Sequence, residues 1–316
     1  MREKEPAPTG LLPLEALPLL GICGGETAHR RAFIAGVTAK CEALHLSCAV
    51  FKLQAPVTEK VCDQLHVLCR QYDAVLVESE LPVLFHHLWL NDTDRGNTAQ
   101  LFTFDHRELA NGSVTDKVVE WLRRRWLDAP VWGCVLVGGK SRRMGRAKHL
   151  IRHQGKTWLE RTVEVLQNQT EKVVVSGAGE LPDSLAELDQ IADVEGLAGP
   201  IAGILAALRY QPEVSWLIVA CDLPEMNEQA LQWLLSRRRI GRHAVLADLE
   251  GNGRVEPLLA YYDYRCRKAV EDIVAAGSLR INRLQGVPGV FIDQPPASLR
   301  RCWRNINTPS DLARHR

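Results

Sequence analysis

The sequence predicts an α/β protein made of two three-layer α/β/α domains, residues 1–130 and 131–316. A length of 316 residues corresponds to about two domains of ordinary size. Hydrophobic residues at 46% and charged residues at 24% are ordinary globular values, which excludes a disordered tail, a collagen-like repeat or a coiled coil. Apolar runs alternate with helix-length stretches twice along the chain, and that order builds parallel sheets.

The first alternation opens with the apolar run LPLLGIC at 17–23, followed by a helical pattern, RRAFIAGVTAKCEAL. The strand SCAVFKL, the helix VTEKVCDQLHVLCRQY and the strand DAVLVES at 73–79 come next. NDTDRGN is a polar loop, and VTDKVVEWLRRRWL is an amphipathic helix whose basic last turn complements its dipole. The second alternation starts at VWGCVLVGG, 131–139, a buried strand running into glycines. A helix at 157–170, the strand KVVVS, a helix at 200–209 and the strand SWLIVACD follow. A helix at 228–238, strands near 243–248 and 255–262, and a terminal segment from 303 complete it.

Lys and Arg number 39 against 38 Asp and Glu, so no excess of positive charge points to nucleic acid. Residues 1–130 carry 14 basic and 17 acidic side chains and the remainder 25 and 21, so the second half is modestly basic. LLPLEALPLLGICGG is interrupted by Pro13, Glu15 and Pro18, which fits neither a signal peptide nor a bilayer span. None of the nine cysteines sits in a C-x-x-C pair. Cys41/Cys48 and Cys62/Cys69 are each seven apart, one helix face two turns later, and are expected as buried free thiols rather than zinc ligands. The expected setting is cytoplasmic, with no membrane and no nucleic-acid partner.

The segment LVGGKSRRMGRAK, Leu136 to Lys148, carries the strongest chemical signal. A buried strand ends at Gly138-Gly139, and the chain then passes Lys140, Ser141, Arg142, Arg143 and Met144-Gly145 before Lys148. Glycines let backbone amides approach a phosphate, arginines supply bidentate contacts and lysine a compact point charge. Ligands of parallel sheets bind beyond the carboxyl ends of strands, where this loop belongs. A solvated basic turn is the plain alternative. Asp222 ends the apolar run SWLIVAC, so its carboxylate is expected at the same edge, as a hard ligand for Mg²⁺ or as a helix N-cap.

L-x-G-G-x-S-x-R-M-G-x-x-K resembles the signature of nucleotidyltransferases with the sugar-nucleotide pyrophosphorylase fold. Its double glycine resembles that of molybdenum cofactor guanylyltransferase, the MobA family. IADVEGLAGPIAGI, CDLP at 221–224, EPLLAYY at 256–262 and NINTPSDL at 305–312 follow in the order found in that family. The resemblance covers residues 131–316 and implies a Rossmann-type nucleotidyltransferase fold. It implies nucleotide contacts from Leu136, Val137, Gly138, Gly139, Ser141, Arg142, Lys148, Ser176, Asp193, Gly199 and Asp222. Lys148, Arg143 and Asp222 carry the catalytic roles in it. Asp222, with Asn305 or Asn307, is the implied Mg²⁺ site. Asp193 equally suits a turn aspartate, Gly199-Pro200 with Gly203 an ordinary helix start, and the asparagines an Asx-type turn before an N-cap at Thr308. Ser176 departs from the family's frequent asparagine after its strand, keeping a donor and an acceptor but losing reach.

The implied reaction transfers GMP from GTP to molybdopterin or Mo-molybdopterin, with pyrophosphate leaving. Molybdoenzymes or their chaperones are the implied recipients of the product. Two other readings remain at this stage: a related nucleotidyltransferase using CTP or a sugar phosphate, and a non-catalytic carrier or scaffold for finished cofactor.

PLLGICGGETAHRRAFIAG places glycines between a strand and a helix, as in a P-loop. From Gly24 to His29, Arg30 and Arg31 the second glycine, the lysine and the Ser/Thr of that motif are missing. YDAVLVESE and VTDKVVEWL resemble segments of the MobB family, a GTP-binding partner of the guanylyltransferase, so residues 1–130 are expected to be a degenerate MobB-like domain. His86-His87 is expected to be a surface or loop pair.

Overall fold

The computed structural model describes residues 11–54, 56–90, 100–103, 112–138 and 147–306. By internal contacts Leu12–Ala129 with Arg239–Gly241 forms one compact unit, and Pro130–Arg238 with the chain from Arg242 onward forms the other.

The N-terminal unit contains β1 (Leu19–Cys23), α1 (Thr27–Ala43), β2 (Cys48–Lys52), α2 (Glu59–Cys69) and β3 (Ala74–Ser79). β4 (His87–Trp89), β5 (Gln100–Thr103) and α3 (Ser113–Leu127) follow. Its five strands pair in parallel in the order β2-β3-β1-β4-β5. Strand side chains alternate between faces, so Leu20, Ile22 and Leu76 pack with α1 and α3, while Leu19, Val75 and Val77 pack with α2.

Two expectations for this half need correction. His86 and His87 do not form a surface or loop pair, because His87 lies on β4 and is 0% exposed. Its Nδ1 is 3.0 Å from the Phe85 carbonyl, while the His86 ring meets Trp121 edge-on. Three apolar neighbours, Leu88, Trp89 and Leu90, carry His87 into the core, while His86 stays half-buried in the bend before β4. Cys41 and Cys48 do not share a helix face: Cys41 lies in the last turn of α1 and Cys48 begins β2, and of the two pairs only Cys62 and Cys69 share a helix.

The C-terminal unit runs β6 (Val131–Leu136), β7 (Arg152–His153), β8 (Lys156–Thr157), α4 (Trp158–Gln167), β9 (Val173–Ser176) and β10 (Gln190–Ile191). α5 (Pro200–Tyr210), β11 (Ser215–Ala220), α6 (Glu228–Ser236), β12 (Ala244–Asp248), β13 (Val255–Tyr262), α7 (Cys266–Ala275) and β14 (Val290–Asp293) complete it. The main sheet has the order β10-β9-β6-β11-β13-β12-β14. β13 runs antiparallel to both neighbours, and every other pairing is parallel.

Alternation again divides the core. Val131, Val135, Leu217 and Val219 face α4 and α6, and Cys134, Trp216 and Ile218 face α5 and α7. Both units are therefore three-layered, the architecture expected. α7, β14 and the two-residue β10 were not foreseen, since CRKAVEDIVA interleaves four charged residues with its apolar ones and VFID is only four residues long.

α4 begins on a reciprocal cap. Thr157 Oγ1 accepts from the Glu160 amide at 3.1 Å, and Glu160 Oε2 accepts from the Thr157 amide at 2.6 Å. This fixes the chain between the Lys148–Leu150 turn and the sheet, since Trp158 N also donates to Ile151 O at 2.9 Å.

Candidate active site at the carboxyl edge of the C-terminal sheet

Three neighbouring parallel strands end together. Leu136 of β6 registers with Ser176 of β9 on one side and with Ala220 of β11 on the other. The bonding continues one residue past the strands: Val137 N donates to Ser176 O at 2.8 Å and Cys221 N to Leu136 O at 3.3 Å. This brings the chain after β6, the chain after β9 and Asp222 to one edge, with Gly138 in the left-handed region at φ +144° where β6 gives way to its loop.

Lys148 reaches this edge from the short 3₁₀ turn Lys148–Leu150. Its Nζ donates to Asp222 Oδ2 at 2.8 Å, and the two side chains are 17% and 18% exposed. The pair is accessible to a ligand but partly desolvated, where charge–charge contacts strengthen. Ile306 N donates to Asp222 O at 3.0 Å, and buried Ile306 packs with Ile151 and Trp158, so the chain at Ile306 is held beside Asp222. Asn305 is exposed next to that anchor.

A second pair lies one strand away. Ser176 Oγ donates to Asp193 Oδ1 at 3.2 Å. Gly203 of α5 makes room for it: a Cβ there would stand 2.9 Å from Leu136 Cδ2 and 3.1 Å from both Asp193 Oδ1 and Ser176 Oγ. α5 follows Gly199, its N-cap at φ +78°, with Pro200 in its first turn, and Gly203 one turn on sets that end of the helix against Asp193. Leu136, Val137, Gly138, Lys148, Ser176, Asp193, Gly199, Asp222 and Asn305 thus lie on this edge and its flanking segments. Gly139, Lys140, Ser141, Arg142, Arg143, Met144, Gly145 and Asn307 lie outside the described residues.

Cys134 and Cys221 also sit here without offering a nucleophile. Burial, with Asp222 adding to it, pushes the Cys221 thiol up to about 12, and burial raises Cys134 further. No group of three or more His, Cys, Asp or Glu among the described residues could hold a metal by itself.

Sequence reasoning missed the loop that carries this edge. Gly177, at φ +117°, lies so close to Val137 that a Cβ would fall 1.7 Å from its carbonyl oxygen. His149, beside Lys148, is only 6% exposed and its Nε2 lies 3.0 Å from Glu180 O. The spacing Ser-Gly-Ala-Gly after a strand is the signal that could have shown it.

A domain model described as the MobA-like NTP transferase domain matches residues 133–286. A probable molybdenum cofactor guanylyltransferase of Bacillus cereus is 31% identical over 143 residues, covering 44% of this chain and 70% of the relative. The chain belongs to the MobA-like nucleotidyltransferase family. A second MobA-like relative, a probable molybdenum cofactor guanylyltransferase of Bacillus cytotoxicus, is 26% identical over 58% of this chain and 94% of its own. The molybdenum cofactor biosynthesis bifunctional protein of Synechocystis is 36% identical over 135 residues, and the chain spans only 39% of its length. Among solved structures, molybdopterin-guanine dinucleotide biosynthesis protein A from Archaeoglobus fulgidus is 30% identical, covering 58% of this chain and 95% of that one, with a TM-score of 0.48. This MobA-like chain is an enzyme of the nucleotidyltransferase type, and no described helix is long and apolar enough to cross a membrane.

The glycine turn of the N-terminal unit has the opposite polarity. Gly24 and Gly25 both have positive φ, and their carbonyls accept from Arg30 NH1 at 2.8 and 2.7 Å. Arg30 is 2% exposed, donates also to Thr27 Oγ1 at 3.0 Å and lies 3.8 Å from Glu78 Oε1. A phosphate cradle turns amides inward, whereas here carbonyls converge on a guanidinium. A cavity of about 590 Å³ adjoins this cluster, lined in part by Lys52, Gln54, Glu80 and Leu84.

Proposed function

We propose that the chain transfers GMP from GTP to molybdopterin or Mo-molybdopterin, giving the guanine dinucleotide and pyrophosphate. The observation that supports this most is the Lys148–Asp222 pair at 2.8 Å on the carboxyl edge of a MobA-like sheet. A terminal phosphate oxygen of molybdopterin forms the new bond to the α-phosphorus. The bond between the α-phosphorus and the bridging oxygen breaks, and pyrophosphate leaves with its electron pair. The attacking phosphate is already an anion, so no protein nucleophile is required, in keeping with the neutral thiols of Cys134 and Cys221.

The side chains then align and neutralise. Lys148 turns from Asp222 to the phosphates as the substrate arrives, joined by Arg142 and Arg143, while Gly138, Gly139 and Ser141 offer backbone and hydroxyl donors. Leu136 and Val137 border the nucleotide, Ser176 holds the Asp193 carboxylate toward it, and the α5 terminus at Gly199 lies alongside. Asp222 fits Mg²⁺ as a partner: one of its oxygens accepts from Lys148, and a single carboxylate with substrate phosphates is an ordinary Mg²⁺ donor set. Asp222 would hold the ion with Asn305 or Asn307 beside it, and the ion would supply neutralisation of phosphate charge. Residues 131–316 form the nucleotidyltransferase domain in this reading. Residues 1–130 are a degenerate MobB-like domain for assembly or handover to molybdoenzymes or their chaperones.

Purified protein with molybdopterin, Mg²⁺ and each nucleoside triphosphate in turn tests the reading through pyrophosphate release. Release with GTP alone is expected; release with CTP assigns a different nucleotidyltransferase, and release with none assigns a carrier.

A further inference from the structure

His149 is a buried polar residue that the reaction above does not use. It sits in the same short turn as Lys148, and its Nε2 is 3.0 Å from Glu180 O. A carbonyl only accepts, so Nε2 is the nitrogen that carries the proton. The loop it meets is closely fitted to it. A Cβ on Gly179 would lie 2.7 Å from His149 Cε1, 2.9 Å from its Nε2 and 3.2 Å from Val137 Cγ2. Only a residue without a side chain lets this backbone lie flat against the imidazole.

The loop is itself anchored on its far side. Gln190 Nε2, on β10, donates to Gly177 O at 2.8 Å and to Gly179 O at 2.7 Å. Gly177 N donates to Ile191 O at 2.9 Å, and Val137 N to Ser176 O at 2.8 Å. A run of close contacts therefore leads from the edge strand β10, through the loop after β9, to the imidazole and the turn that bears Lys148. On the other side Lys148 meets Asp222.

We infer that His149 is a positioning residue for Lys148, bracing the lysine-bearing turn against the Gly177–Glu180 loop so that the ammonium is held at the phosphate site. The inference rests on the reading of Lys148 given under Proposed function. Lysine has a flexible four-carbon stem, and misplacement of a catalytic charge by about 1 Å can cost on the order of 100-fold in rate. The brace confines the backbone from which that stem departs. Ser176 and Asp193 lie on the α5 side of the same edge, so the brace acts on phosphate alignment and leaves the Ser176–Asp193 bond in place.

The test is a double-mutant cycle on the full chain, comparing His149→Phe with Lys148→Ala. It is run once on GTP turnover and once on calorimetric binding of inorganic pyrophosphate. His149→Phe keeps a ring and loses the donor, and is expected to lower kcat/KM by roughly 10- to 100-fold. His149→Gln, whose amide reaches the same carbonyl, is expected to recover most of that loss. In the Lys148→Ala background His149→Phe should change neither readout by more than about twofold, because its effect passes through the missing ammonium. An equal loss in both backgrounds, or no recovery in His149→Gln, overturns the inference. Gln190→Ala loosens the same loop without touching the core and should show the same dependence on Lys148, which keeps the test open if His149→Phe fails to fold. A wild-type chain that releases no pyrophosphate from GTP fails the proposed function instead, and the pyrophosphate-binding cycle still reads the brace.

Discussion

Lys148 Nζ and Asp222 Oδ2 are 2.8 Å apart across 74 residues of sequence. One comes from a loop after β6 and the other from the end of β11, and the pairing of those two strands in parallel brings them together. A cation and anion this close and partly buried attract each other more strongly than a fully exposed pair would.

Lys148→Ala and Asp222→Ala should each lower turnover by at least ~10²-fold, the usual worth of one preorganised charge donor. Both side chains are partly exposed and far from the packed faces of the sheet, so thermal unfolding should move little. Steady-state kinetics beside a melting curve checks both halves of the expectation.

Gly203→Ala separates site geometry from helix stability. The new methyl gains helix propensity of about 1 kcal/mol but presses on Leu136, Asp193 and Ser176 at 2.9 to 3.1 Å. The Ser176–Asp193 bond should yield first, raising the nucleotide KM on the order of tenfold, as for one lost hydrogen bond to a charged group. An unchanged KM would remove Asp193 from the nucleotide site.

At the other end of β11 lies a buried polar network. Arg265 NH1 donates to Asp263 Oδ1 at 2.9 Å, with side chains 1% and 0% exposed, and Tyr261 OH reaches Asp263 through Ser215 Oγ. Asp263→Ala removes the buried carboxylate that faces the Arg265 guanidinium, and should destabilise by about 3–5 kcal/mol. Denaturant unfolding measures this, while KM at a temperature where the variant is folded should match wild type.

Acid stability should depend on the α4 cap. The Ser184 hydroxyl, then the Thr157 amide and hydroxyl, hold the Glu160 carboxyl at about 2, against an ordinary value of 4.5. A depressed folded value means that its stabilisation is full above about pH 4.5 and is lost as pH falls toward 2. Glu160→Gln should therefore melt lower than wild type at neutral pH, and the gap should close in acid. Melting curves from pH 7 to pH 2 check the sign.

Much of this site was legible in the sequence because its chemistry follows strand ends. Gly138, Ser176 and Asp222 each close an apolar run, and parallel strands deliver their ends to one edge. What was not legible depended on contacts across the fold. Nothing local shows that Gly179 lies on His149, that Gln190 ties the loop down, or that Ser176 turns to Asp193. His87 was misjudged for the same reason, because a histidine in a short strand is buried only by neighbours that the sequence does not identify. Arg30 looked like the residue of a lost P-loop, and the structure adds that it fills the turn with its own guanidinium.

The most direct measurement follows a label on the α-phosphate of GTP in a reaction with molybdopterin and Mg²⁺. The account predicts that the label moves into a product containing both pterin and guanosine, with one pyrophosphate released for each transfer, and that Asp222→Ala forms almost none. Label that stays in GTP with the wild-type chain, or transfer undiminished in Asp222→Ala, would contradict it.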